Sequence, residues 1–281
     1  MQIDNEPTGF TFSGDTFRKI HPAEYYRKFL SQNIRPDGRS LSGYRQTKVT
    51  PGAISTADGS ALVRIGDTSV LCGIKAEVAE PKIATPNEGF VVPNVELPPL
   101  CSSQFKPGPP SEKAQVLSEN INNLLHSCKI MSLDQLCIEE GKAVWVLYVD
   151  IVCLNYDGNI FDAALIAFIA ALKNVKLPKV AYSSDEGMVT ATREEETQLK
   201  LDHILYPATF GLFDGERVIA DPNHTEESLV DTLVTITLDE SNKLSAIWKD
   251  GGVPCSKEQM QEFIEAAKVR AQKVQEILDQ Q

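Results

Sequence analysis

The run AVWVLYVDIVCLNYDGNIFDAALIAFIAALKN, residues 143–174, constrains the fold more than any other stretch. Its first part is almost continuously apolar and rich in β-branched and aromatic residues. It reads as a central strand covered on both faces. Asp157-Gly158 ends it, and FDAALIAFIAALKN then reads as a buried helix. Asp162 sits near that helix's N-terminus, where a carboxylate suits the dipole, and it reads as a cap. Residues 163–172 fall short of the roughly 20 apolar residues a membrane helix needs, so the run is core and no membrane contact is expected.

The rest of the chain arranges itself around this unit. Residues 1–20 read as a loose N-terminal extension, polar and broken by Pro7, Gly9 and Gly14. A short helix from Pro22 carries Tyr25, Tyr26, Phe29 and Leu30 on one side. RPDGR, residues 35–39, suits a type I turn with Pro36 and Gly38 at its second and fourth positions. A strand in residues 44–55 leads to the hairpin SALVRIGDTSVLCGIK, turned at Gly66-Asp67. GFVVPNVELPPL reads as an edge strand, because its prolines cannot donate to a ladder. A helix over 111–128 follows, with Ala114, Leu117, Ile121 and Leu124 as its buried stripe.

Between residues 174 and 200 the chain turns polar, with SSDEG and REEE, and this shift marks a domain boundary. It divides residues 21–180 from residues 181–281. Two further hairpins, turned at DGE and DESNK, precede a last helix that Ser256 caps, with Gln259 completing a capping box. The order of elements gives an α+β fold of two similar halves, each packing helices on a mixed sheet.

Composition removes several functions. The formal net charge of −12 would repel nucleic acid, unless local basic patches or basic partners supplied the attraction. The six cysteines form no C-x-x-C pair and read as reduced packing thiols, and nothing in the N-terminal residues suggests secretion. No dinucleotide or P-loop fingerprint, no H-x-x-x-H and no nucleophile elbow is present. The sequence therefore calls for no cofactor and no metal of its own.

RPDGR, GSALVRIGDTSVLCGIKAE, FKPGPPSE, GKAVWVLYVDIVCLNYDGNIFDAAL and AALKN occur here in an order similar to that of RNase PH-like proteins. The resemblance spans residues 22–275. Within that family, VVPNVELPPLCSS, FKPGPP and VWVLYVDIVCLNYDGNIFDA resemble non-catalytic ring subunits of the eukaryotic RNA exosome. The resemblance implies an RNase PH-like fold and a ring of six such chains around a pore that threads RNA. It also implies hetero-oligomeric partners: homologous RNase PH-like subunits, S1/KH-type cap subunits, and RNA reached through the complex. The implied work is 3′→5′ RNA processing and degradation, including rRNA maturation and mRNA turnover, in the cytoplasm and in the nucleus with its nucleolus.

Active members of the family cleave with inorganic phosphate, usually with a divalent metal. Two anions must then be held together, which requires cations or N–H donors; arginine suits the task. The loop-then-helix FKPGPPSEKAQVLSENINNLLHS has the shape of an anion site. The positions that match arginines of active relatives are Glu119, Asn123 and His126, on one helical face at i, i+4 and i+7. The segment matching the acidic catalytic cluster is ADPNHTEESL, with Asp221, Glu226 and Glu227 retained as acids and Asn223 where the catalytic acid belongs; a polar turn between two strands is the favoured reading of it. No catalytic residue is therefore assigned. Lys106, Arg35 and Arg39 are the candidates for RNA contact, although a turn with solvated arginines also accounts for the last two. The rival readings are an active phosphate-dependent exoribonuclease and an RNA-binding accessory without catalysis.

Overall fold

The computed structural model of the chain describes residues 14–183 and 188–280. Its compact units are residues 1–44 and residues 45–281. In the first unit, residues 14–20 of the expected loose extension form helix α1 (Gly14–Ile20), and residues 1–13 of it lie outside the described residues. Helix α2 (Pro22–Leu30) begins at its proline and buries Tyr26 and Leu30, while Tyr25 and Phe29 pack ring to ring at 4.9 Å. The Arg35 carbonyl accepts from the Gly38 N–H (2.9 Å), closing the turn that Pro36 initiates, with Gly38 at φ 84°.

The second unit holds two larger sheets. Strands β1 (Thr47–Pro51), β2 (Gly59–Ile65), β3 (Thr68–Ala79), β4 (Phe90–Glu96), β5 (Cys137–Glu139) and β6 (Ala143–Asn155) form the first, in the order β1-β2-β3-β6-β4 with β5 on β6. Gly66 turns the β2–β3 hairpin with φ 58°. β4 lies at the sheet edge, as its prolines required, and pairs parallel to β6. β6 is central, but only residues 143–147 are buried without a break. Beyond them Tyr148, Asp150 and Leu154 are exposed, so the expected double cover fails there. The reason is that helix α4 (Ile160–Lys173) packs on one face only of β2 and β3. Asp150 is met on the open face by Asn94 Nδ2 at 3.3 Å.

Every residue of α4 except Lys173 is buried. β2 and β3 cover one side, and β9 (Leu205–Phe213) covers another. Each large side chain buried this way contributes about 1.5–3 kcal/mol. β9 belongs to the second sheet, ordered β10 (Arg217–Ala220), β9, β11 (Thr232–Asp239), β12 (Leu244–Lys249). Its pairings are antiparallel throughout, so mixed pairing is confined to the first sheet. Helix α6 (Lys257–Asp279) covers β9 and β11, with the Ser256–Gln259 capping box in place. α4 is thus shared by both sheets. The polar stretch where a boundary was expected carries a ribbon, β7 (Lys176–Ser183) with β8 (Met188–Gln198), while residues 184–187 of SSDEG lie outside the described residues; main-chain pairing needs no apolar alternation.

Candidate functional site

Helix α3 (Glu112–Ser127) buries Ala114, Leu117, Ile121 and Leu124, the stripe its periodicity dictates, together with Leu125. It lies against β4 and leaves an open groove of about 680 Å³ between them. Glu119, Asn123 and His126 are all exposed. Glu119 and His126 line the groove, joined by Gln115, Ser118 and Asn122, while Asn123 does not. A helix advances about 100° per residue, so positions 119 and 126 nearly superpose, whereas 123 is turned about 40° from 119, to the margin of the same face and just outside the groove. Among the described residues Lys82 is the one Lys or Arg lining the groove, and its Nζ rests over the Phe90 ring (5.2 Å).

The start of α3 is closed by its own sequence. Ser111 Oγ accepts from the Ala114 N–H (3.3 Å) and Gln115 Nε2 donates to the Pro110 carbonyl (3.0 Å). Glu112 adds a negative charge to the first turn. In the proline loop before it, Lys106 is exposed beside Pro98, Pro99 and Pro107. Phe105 holds that loop by packing edge-on against Tyr156 (5.4 Å).

The densest polar constellation lies where the β6–α4 turn meets the β10–α5 turn, α5 being His224–Glu227. Asp221 is fully buried with φ 48°. Arg45 grips both its oxygens, Nε to Oδ2 at 2.9 Å and Nη2 to Oδ1 at 2.8 Å, and the Arg45 main-chain N–H donates to Oδ2 at 2.8 Å. Arg45 Nη1 also donates to Asp157 Oδ2 (3.1 Å) and the Asp157 carbonyl (2.6 Å). Asn159, at φ 50°, donates from Nδ2 to Asp221 Oδ1 (2.7 Å) and to Asp162 Oδ2 (2.9 Å). Burial would raise the Asp221 carboxyl, yet the Arg45 guanidinium and Asn159 hold it down to about 2.

One expectation changes here. Asp162 does not cap α4; it is buried and accepts from the Thr209 N–H (3.1 Å) and Thr209 Oγ1 (2.7 Å), tying α4 to the second sheet. Burial raises its pKa against the pull of those donors. The N-cap is Asn159 in a left-handed conformation, and its N–H donates to Glu227 Oε1 at 2.6 Å. Glu227 Oε2 accepts from the Tyr156 hydroxyl at 2.6 Å and lies 3.7 Å from Lys113 Nζ. Burial, with Glu227 beside it, raises the Tyr156 pKa and keeps the phenol a donor. The N-terminus of α4, where an outside anion would sit, thus holds an internal carboxylate. Asn223 caps α5 in a capping box with Glu226 (both bonds 2.9 Å), which is the turn reading of that segment. Among the described residues no group of His, Cys, Asp and Glu could hold a metal ion.

Arg35 and Arg39 are not solvated. Arg35 is fully buried, and its Nη1 donates to the Gly43 carbonyl (3.2 Å). Arg39 Nε pairs with Asp37 (2.6 Å) and its Nη1 reaches the same carbonyl (3.3 Å). Sequence reasoning missed Arg45 and Asn159, and it read Glu227 only as a retained acid of the segment ADPNHTEESL. The Asp157-Gly158-Asn159 turn was a signal for left-handed backbone, but no spacing rule joins residues 45, 159 and 227.

The RNase PH model, described as 3′ exoribonuclease family domain 1, matches residues 43–178, and the domain 2 model matches residues 203–270. The chain is 43% identical over 258 residues to exosome complex component rrp43 of Schizosaccharomyces pombe, covering 92% of this chain and 95% of that protein. It is 40% identical to exosome complex component Rrp42 of Thermococcus gammatolerans, covering 89% and 90%. It superposes on a chain of the Archaeoglobus fulgidus exosome, solved with RNA bound to the active site, with TM-score 0.82 and 34% identity. That match covers 93% of this chain and 99% of the other.

Proposed function

The chain belongs to the RNase PH family of 3′ exoribonucleases, and from that membership we propose that it is a non-catalytic ring subunit of an RNA exosome. Its part is to support 3′→5′ RNA processing and degradation by the complex, through ring stability, pore geometry and docking surface. Its partners are homologous RNase PH-like subunits, S1/KH-type cap subunits, and RNA reached through the assembly. The names and full-length coverage of its relatives support this placement. The kinship we infer within eukaryotes is with the ring subunit called exosome component eight, at work in the cytoplasm and in the nucleus with its nucleolus. We also retain a domain boundary near residue 180.

The observation that carries the non-catalytic reading is the exposed face of α3, with Glu119, Asn123 and His126. Replacing a cation by Glu reverses an interaction of several kcal/mol at about 4 Å and an effective dielectric near 20. The other anion-holding groups are spent internally: Arg45 on Asp221 and Asp157, the Asn159 N–H on Glu227. Asp221 and Asn223 are then a degenerate acidic site serving structure. Of the three cations read as RNA contacts, we retain Lys106, because it is exposed while Arg35 and Arg39 serve their own turn.

The test is direct. Purified chain incubated with RNA, inorganic phosphate and Mg²⁺ or Mn²⁺ should release no nucleoside diphosphate. Phosphate-dependent 3′ shortening by the pure chain would overturn the reading and favour an active enzyme.

A further inference from the structure

We infer that the α3–β4 groove is a docking site for an extended, arginine- or lysine-bearing segment of a partner protein. The inference rests on the proposed role of the chain as a non-catalytic subunit, and it names what the former anion face now receives.

The argument is a count of donors and acceptors. Val95 donates its N–H to Ser118 Oγ on α3 (2.8 Å), so the odd-numbered residues of β4 turn their main-chain groups away from β6 and toward α3. Pro93 lies in that outward set and has no N–H. The edge therefore presents the carbonyls of Val91, Pro93 and Val95 against one free-facing N–H, that of Val91. A generic β-strand, which needs donors and acceptors in alternation, fits such an edge poorly. A ligand rich in N–H donors fits it well.

The side chains repeat the pattern. Glu88 and Glu119 line the groove and make no ion pair among the described residues. Gln115, whose Nε2 is taken by the Pro110 carbonyl, adds an acceptor, and the Lys82 ammonium lies over the Phe90 ring. RNA would bring phosphate oxygens to these carboxylates and carbonyls, which is a mismatch in sign and in hydrogen bonding. A guanidinium or ammonium group matches both. The chain's charge of −12 draws such a segment in from a distance.

The experiment uses the full chain and two readouts. Binding of a fluorescent peptide of alternating glycine and arginine is measured by anisotropy near physiological salt, beside a labelled oligo(A) RNA. The pair Glu88→Lys and Glu119→Lys should weaken peptide binding at least about tenfold. The pair Glu262→Lys and Glu276→Lys, equal in charge change and exposed on α6, should change it less than about twofold. Equal losses in both pairs, no peptide binding, or tighter binding of the RNA than of the peptide would each overturn the inference. Co-purification with RNase PH-like chains is scored separately: its absence overturns the ring assignment, while normal co-purification of the groove variant with unaltered peptide binding overturns only the groove.

Discussion

Asp221 sits in the core with a left-handed backbone, and both its oxygens are held by Arg45. Its folded pKa of about 2 lies below the reference 3.8, so the unfolded chain takes up its proton first as pH falls. The stabilisation, about 2 kcal/mol, is complete above pH 4 and is lost as pH drops through 2. Asp162 works in the opposite sense, since burial raises its pKa. Urea unfolding between pH 6 and 2 should therefore show a loss in the wild type that Asp221→Asn removes. That substitution should also cost about 3 kcal/mol or more at neutral pH, because it leaves Arg45 charged and under-partnered. Replacing the pair together, Arg45→Met with Asp221→Leu, should cost less than Asp221→Asn alone; additive costs would refute the coupling.

At the scale of elements, the helix that resembles an anion site is closed at its start and acidic along its groove. Ser111→Ala should destabilise the chain by about 1 kcal/mol through the lost N-cap, measured by thermal unfolding. The β6–α4 turn is more constrained. A Cβ on Gly158 would lie 2.6 Å from the main chain of Asn223 and His224, and the glycine holds φ 75°. Gly158→Ala should then cost more than about 2 kcal/mol in urea unfolding, whereas a cost under 1 kcal/mol would show that the turn can move apart. Both turns were visible in the sequence as DG and PN signals. That they abut was not, because the approach joins residues about 65 positions apart and depends on how the sheets share α4.

For the whole molecule, the open face of the first sheet and the acidic surface suit a chain that functions in company. Tyr148, Val92 and Leu154 stand exposed at strand positions that alternation would reserve for polar residues. The native species should be a hetero-assembly with other RNase PH-like chains, read by native mass; a stable monomer that copurifies with none of them would contradict the ring role. The isolated chain should bind RNA weakly near physiological salt, since it can release few counterions. By itself the sequence determined the apolar βα unit, the edge position of β4, the buried stripe of α3, the hairpins and the Ser256 capping box of α6. All of these follow from local periodicity and turn chemistry, which act over a few residues. Only the tertiary structure decided that Asp162 is a bridge and not a cap, that Arg35 is buried, and that Glu227 fills the end of α4. Each of those depends on desolvation and on partners brought from distant parts of the chain, which no pattern along the sequence encodes.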